Sequence, residues 1–397
     1  MDQSSSVGIL GAGTMGMGIA QIAAMAGHTT YLYDSRQEAV DKAVIGLNKT
    51  MDMLVAKKKL THEEASAILG RIRPATLMKE LAQCGLVIEA VIEDVAVKKK
   101  LFMDIEFKVG PETILATNTS SLSVTEIAAA CNRPERVMGL HFFNPAPLLP
   151  LVEVVPGLAT SDHNRDRAFN LMRSWNKIPV VCKDTPGFIV NRVARPFYGE
   201  SLRILEEGLA DTHTIDRALK EIGGFRMGPF ELMDLIGNDI NYMVTKTVWE
   251  SFFYDPRYRP SFTQQRMVQA KWLGRKTGRG YYKYDAAGMT VTSGPETVVA
   301  AGTRDQYLME DITHRVVVML INEAVDALNL GIATRDDIDL AMTKGVNYPK
   351  GLLRWADELG LDKCLASLER LQAEHGEDRY RPSPLLRRMV REGRSFY

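Results

Sequence analysis

The chain has 397 residues, 45% apolar and 25% charged, the mix of a folded soluble protein, and it is too long for one compact core. Lys+Arg and Asp+Glu both number 49, so no net charge draws the chain onto nucleic acid or an anionic membrane. The four cysteines, Cys84, Cys131, Cys182 and Cys364, show no C-x-x-C spacing, which predicts a reducing cytoplasm and neither a disulfide framework nor a zinc site.

The first six residues are polar, without the basic start of a signal peptide. Residues 7–10 predict a short apolar strand, 12–26 a helix packed close to it, and 29–33 a second strand, which opens a β-α-β unit. A polar helical region covers 37–69. Further strands are expected at 86–92, 114–117, 137–143 and 151–155. Strands alternating with helices argue for a mostly parallel sheet covered on both faces. The pattern changes after 184–188. From 189 to about 253 it is helical, 275–284 reads as a loop and a terminal strand, and 285–305 as a linker. Helical patterning returns at Tyr307 and runs to the end.

An internal repeat spans that linker. Glu200, Leu205, Gly208, Ala210, Ile215, Asp216, Ala218, Gly228 and Asp234 recur as Glu323, Leu328, Gly331, Ala333, Ile338, Asp339, Ala341, Gly351 and Asp357, always 123 residues on. Chance matching of small residues would not hold one register over that length.

Two constellations carry chemistry. Gly11-Ala-Gly-Thr-Met-Gly16 follows a strand and opens a helix. Gly11 allows the tight turn, Gly13 lets the backbone approach a pyrophosphate, Gly16 lets helix and strand pack, and the N–H groups of Thr14 and Met15 open the helix toward the phosphates. Asp34 ends the second strand 18 residues after Gly16. An acid there binds the adenosine ribose and repels a 2′-phosphate, favouring NAD over NADP, and Arg36 weakens that preference slightly. The second constellation is His141-Phe-Phe-Asn-Pro145 with Glu153 twelve residues later, on the following strand. A carboxylate on one ring nitrogen fixes the tautomer and makes the other a better general base. On spacing alone a structural histidine is about as good a reading.

With these motifs on the page, the chain resembles the L-3-hydroxyacyl-CoA dehydrogenase family over nearly all of 7–284. The landmarks are the glycine motif, Glu89-Ala-Val-Ile-Glu93, Thr117-Asn-Thr-Ser-Ser-Leu122, His141-Phe-Phe-Asn-Pro145, Leu151-Val-Glu-Val154, the 183–192 stretch, Gly228-Pro-Phe-Glu-Leu232 and Lys276-Thr-Gly-Arg-Gly280. The resemblance implies a Rossmann-type α/β NAD-binding domain at 1–185 and a helical domain at 186–284. After a linker at 285–306, a degenerate second helical copy would fill 307–397. Both helical domains would be of the 6-phosphogluconate-dehydrogenase C-terminal kind. It implies His141 as general base, Glu153 as its orienting partner, Ser120 on the substrate hydroxyl and Asn191 near the reacting carbon. Asp34, Glu93, Lys98, Asn118 and Lys276 would contact NAD, and Lys58 would reach coenzyme A. Plain alternatives stand beside these roles: Asn118 and Ser120 as helix caps, and the lysine runs 57–59 and 98–100 as solvated helix faces.

The implied reaction is oxidation of a 3-hydroxyacyl-CoA to the 3-oxoacyl-CoA with NAD and no metal, in fatty-acid or aromatic-acid breakdown. Acyl groups from hydroxybutyryl to hydroxyadipyl fit. Two departures stand out. The family's Tyr-Pro-Met-Gly-Pro stretch reads Phe225-Arg-Met-Gly-Pro229, and the repeat places His314 where the first copy has Asn191. The second copy is therefore expected to serve structure, making the chain a monomeric pseudo-dimer or a homodimer with no membrane or nucleic-acid partner. Rival readings are a sugar-acid dehydrogenase of a neighbouring branch and a non-catalytic NAD-binding structural protein.

Overall fold

The computed structural model describes residues 5–285, 287–288, 290–291 and 303–397. The first four residues and most of the expected linker lie outside the described residues. The chain forms two compact units, divided between Phe188 and Ile189.

The first unit is built on one sheet. Its elements are β1 (Ser6–Leu10), α1 (Thr14–Met25), β2 (Thr30–Tyr33), α2 (Gln37–Ala56), α3 (His62–Arg71), β3 (Ile72–Ala75), β4 (Cys84–Glu89), α4 (Val95–Glu106), β5 (Ile114–Thr117), α5 (Val124–Ala128), β6 (Val137–Phe142), β7 (Leu151–Pro156), α6 (Asp162–Ser174) and β8 (Ile178–Val181). Strand order is β3-β2-β1-β4-β5-β6-β7-β8. All neighbours pair in parallel except β6 with β7. The first six strands have the dinucleotide-binding order, which reverses between β1 and β4, so a crevice opens at their carboxyl ends. Both faces of the sheet are covered, as the apolar strands require. Ile9, Leu86, Ile88 and Ala116 pack with Ile19 and Val40 on one side; Leu10, Val87 and Leu115 pack with Phe102 and Ile127 on the other.

Three local expectations change. The helical region 37–69 is two helices, broken at Lys58, whose φ is +55°. The strand expected to run to residue 92 stops at Glu89. β3 and β8 were not foreseen. Each carries a proline, Pro74 and Pro179, which weakens the strand signal, and each sits at an edge of the sheet, where a missing N–H is tolerated.

The second unit is helical: α7 (Val190–Val193), α8 (Arg195–Glu206), α9 (Thr212–Arg217) with one π turn after it, α10 (Pro229–Ile236), α11 (Asn238–Ser251) and α12 (Phe262–Gln269). A short hairpin of β9 (Lys283–Tyr284) and β10 (Thr290–Val291) follows. The remainder is α13 (Thr303–Asn329), α14 (Arg335–Gly345), α15 (Leu352–Leu359), α16 (Leu361–His375) and α17 (Pro384–Glu392). α13 begins four residues before the expected return of helix at Tyr307. The repeat is visible in three dimensions: α14, α15 and α16 start 123 residues after α9, α10 and α11. Asp216 accepts hydrogen bonds from the N–H groups of Phe230 and Glu231 at 2.9 and 3.0 Å. Asp339 does the same for Leu353 and Arg354 at 2.8 and 3.1 Å.

The copies also grip one another reciprocally. Arg192 Nε donates to Glu323 at 2.6 Å, and Arg315 Nε, 123 residues after Arg192, donates to Glu200 at 2.6 Å. Tyr258 and Tyr380 donate their hydroxyls to the same two glutamates. Phe197 and Phe225 pack on Tyr348, and Phe225 on Trp355. Residue i meeting j while j′ meets i′ is the signature of a two-fold interface, here made inside one chain.

Candidate active site

The crevice end of the sheet gathers most of the expected residues of the first unit. Gly11 has φ +105°, a conformation that only glycine adopts without strain. A Cβ on Gly16 would fall 1.8 Å from the Gly11 carbonyl oxygen, whereas a Cβ on Gly13 would meet nothing within 4 Å. The turn is therefore tight beneath and open in front. Gly13 caps α1 without a side-chain hydrogen bond, and no acid stands in the first turn, where Thr14 and Met15 lie. That helix start suits a pyrophosphate. Asp34, just past β2, accepts from the N–H of Ala12 at 2.9 Å and of Arg36 at 3.0 Å, so the acid expected to meet the ribose is tied to the glycine turn. These features fit a dinucleotide.

The loops after β4 and β5 are joined by carboxylates. Glu93 accepts from the Thr119 hydroxyl at 2.5 Å, the Ser120 N–H at 3.1 Å and the Ser121 hydroxyl at 3.3 Å. Asn118 Oδ1 accepts from the Phe142 N–H at 2.8 Å, binding that loop to the end of β6. Ser123, rather than Ser120 or Asn118, caps α5, and Asp184 accepts from the N–H groups of Val124 and Thr125. Lys98 is 1% exposed, with its ammonium 2.6 Å from Glu89 and 3.2 Å from Glu93. Glu89 also accepts from the Thr117 hydroxyl and the Val91 N–H, each at 2.7 Å. Lys98 thus stands behind Glu93 in a buried network. Glu89, Thr117, Thr119 and Asp184 went unassigned in the sequence, although a glutamate inside the apolar run 86–92 signals a charge that must be paired.

His141 and Glu153 are direct register partners across the antiparallel β6–β7 pair. Their Nδ1 and Oε2 atoms are 2.7 Å apart, and both side chains are buried. Phe143 and Phe188 flank the imidazole, with ring centroids 4.4 and 5.9 Å away. With Nδ1–H donating to the carboxylate, the basic lone pair lies on Nε2. Lys177 secures the loop that follows the histidine motif by donating to the carbonyls of Ala146 and Leu149 at 2.6 and 2.9 Å; burial lowers its ammonium pKa to about 8.

The remaining expected residues stand elsewhere. Lys58 is exposed at the turn between α2 and α3, beyond a 20-residue helix about 30 Å long. Asn191 lies on α7 of the second unit, its carbonyl accepting from Arg195 Nε at 2.7 Å. Lys276, also in the second unit, is paired with Asp239 at 2.6 Å. His314 in the second copy is half-buried, 2.7 Å from the Ser367 hydroxyl, and burial lowers its pKa.

A dinucleotide-binding sheet with a buried His–Glu pair at its carboxyl edge defines a nicotinamide-linked oxidoreductase. Family models for the 3-hydroxyacyl-CoA dehydrogenase NAD-binding domain and C-terminal domain match residues 6–185 and residues 187–284 and 312–395. The chain belongs to the 3-hydroxyacyl-CoA dehydrogenase family, and its cofactor is NAD. It is 41% identical to the 3-hydroxyadipyl-CoA dehydrogenase of Escherichia coli K12, across 96% of each chain. It is 41% identical to the 3-hydroxybutyryl-CoA dehydrogenase of Clostridioides difficile, across 70% of this chain and 98% of that one. A crystal structure of 3-hydroxybutyryl-CoA dehydrogenase from E. coli K12 superposes with a TM-score of 0.90, covering 98% of this chain and 99% of that one at 39% identity. Among the described residues no helix is long and apolar enough to cross a membrane.

Proposed function

We propose that the chain oxidises the 3-hydroxyl of L-3-hydroxyacyl-CoA thioesters to the 3-oxo group, with His141 as the catalytic base. The observation that carries this reading is the buried contact of His141 Nδ1 with Glu153 at the carboxyl end of β6 in a dinucleotide-binding sheet. NAD, when bound, accepts the hydride from C3; Gly11, Gly13, Thr14, Met15, Gly16 and Asp34 would hold it, with Glu93, Asn118 and Lys276 contributing and Lys98 acting through Glu93. His141 Nε2 takes the proton of the C3 hydroxyl. Glu153 stabilises the imidazolium that forms and keeps the ring turned. Ser120, fixed through its backbone by Glu93, would hydrogen-bond the substrate oxygen. Asn191 and Lys58 carry the substrate and coenzyme A contacts implied by the family resemblance.

The reciprocal Arg192–Glu323 and Arg315–Glu200 pairs support a pseudo-dimer within one chain, the second copy at 307–397 serving packing. Four buried cysteines, none in a disulfide among the described residues, support a reducing cytoplasm. The test is direct: initial rates of NADH formation across 3-hydroxyacyl-CoA thioesters, set against sugar acids. Turnover confined to the thioesters is expected; turnover of sugar acids alone, or none with any substrate, would overturn the reading.

A further inference from the structure

Phe188 is the last residue of the first unit, 1% exposed, with its ring centroid 5.9 Å from that of the His141 imidazole and the two planes tilted by 59°. Its φ is +48°, in the left-handed region that is costly for any residue with a β-carbon and an outlier for a bulky one. Of the seven non-glycine residues with positive φ among the described residues, Phe188 alone is buried. Glycine would take this conformation without strain, whereas phenylalanine brings a ring to His141 at a cost.

The local sequence builds the approach. The Phe188 N–H donates to the Thr185 carbonyl at 2.9 Å, across Pro186 and a Gly187 at φ +74°, the residue pattern of a type II turn. Just before the turn, Asp184 accepts from the Ser123 hydroxyl at 3.0 Å and from the N–H groups of Val124 and Thr125 at 3.0 and 2.7 Å. Those three residues follow directly on the loop that carries Ser120. The stretch 184–188 is therefore anchored behind the Ser120 loop at one end and meets His141 at the other. The helical fold does not itself demand this break: 123 residues on, Glu310 and Asp311 lie inside the continuous helix α13.

We propose that Phe188 is a positioning residue for the base: its ring limits rocking of the His141 imidazole and keeps water from the Nδ1–Glu153 contact. The assignment rests on the proposed function. One hydrogen bond holds one nitrogen of the ring and leaves the plane free to turn about it; packing removes that freedom. Excluding water also strengthens the bond to the carboxylate, since the local dielectric is low.

The experiment uses the full chain with Phe188→Leu, His141→Gln and the double variant. Steady-state rates with a 3-hydroxyacyl-CoA thioester, NADH titration, a pH–rate profile and a urea midpoint are measured for each. Phe188→Leu should lower kcat roughly ten- to a hundredfold, the scale of a displaced catalytic group, with KM and NADH affinity close to wild type. Its pH–rate profile should move, because water then reaches the His141–Glu153 pair. In the His141→Gln background the same change should cost nothing further, as residues that act as one unit are not additive. Wild-type kcat with an unmoved profile would overturn the proposal, even if the urea midpoint fell, and would leave Phe188 a core residue only. A loss carried by KM or by NADH affinity, or a full second loss in the double variant, would overturn it as well. Phe188→Met is read by the same criteria should Phe188→Leu fail to fold. A wild-type enzyme inert toward every thioester, or His141→Gln of near-normal turnover, would remove the functional reading itself, an outcome distinct from an active, His141-dependent enzyme indifferent to position 188.

Discussion

Glu153 is the cross-strand partner of His141, and its Oε2 lies 2.7 Å from the imidazole Nδ1 in a buried setting. The pair is set by sheet register, so each side chain can be altered without moving the other's backbone. His141→Gln should retain the fold and NADH affinity while lowering turnover roughly a hundred- to ten-thousandfold, the span of a lost general base. Glu153→Gln should slow turnover and shift the pH–rate profile. Near-normal turnover in the first variant, or an unmoved profile in the second, would refute the assigned roles.

Asp34, proposed to bind the ribose, also holds the Ala12 N–H of the glycine turn. Asp34→Ala should weaken NADH binding roughly ten- to a hundredfold, the loss expected for charge-assisted hydrogen bonds, and narrow the gap to NADPH. Fluorescence titration with both cofactors measures this. A wild-type preference for NADPH would contradict it.

Lys98 is enclosed with Glu89 and Glu93. Lys98→Met leaves the Glu89 carboxylate buried without its cation, a change that costs about 3–5 kcal/mol. The urea midpoint should fall accordingly, and NADH should bind more weakly because Glu93 no longer braces the 119–121 loop. A variant as stable as wild type would show that the network is idle.

Lys177 gives a pH signature. Its ammonium pKa falls from 10.5 to about 8 through burial. Between those values the unfolded chain binds the proton and the folded chain does not, so the lysine's contribution to stability rises with pH. It is fully present above about 10.5 and is lost as pH falls through 8. The difference in urea midpoint between wild type and Lys177→Met should therefore move in favour of wild type from pH 8 to pH 10. A constant difference would show that the amine is not desolvated.

The second helical copy should prove necessary for stability and silent in catalysis. Ending the chain at Tyr284 removes Glu323 from Arg192, and Tyr348 from Phe197 and Phe225. The expected result is aggregation or new self-association, seen by light scattering. His314→Ala removes a hydrogen bond to Ser367 within the second copy and should leave turnover nearly unchanged. A stable, fully active truncated monomer would refute the first expectation, and a large loss of turnover in His314→Ala the second.

The parallel sheet was legible because its strands are apolar runs between helical segments, and the His–Glu pair because adjacent strands bring positions 141 and 153 together. The edge strands were hidden by Pro74 and Pro179. The Glu89–Lys98–Glu93 network was hidden because Lys98 belongs to a lysine run that also reads as a solvated helix face. The repeat was legible only while its register held. Asp234 accepts from the N–H groups of Tyr281 and Tyr282, and Asp357 from those of Phe396 and Tyr397. That closing pair comes 115 residues later rather than 123, so a fixed offset passes over it.

The joining of two helical copies in one polypeptide also bears on how such a surface can change. On a two-fold face between identical chains, every substitution occurs twice, and a charge must be tolerated on both sides at once. Within a tandem each side mutates alone. Arg203 and Asp326 occupy equivalent places 123 residues apart, yet only Asp326 accepts from Arg192 and Arg257, at 3.0 and 3.2 Å, while the first copy uses Glu207 to hold Arg315. Fusion has let the two halves of one interface carry different charges at these positions, while each half keeps the arginine and the glutamate of the reciprocal pair.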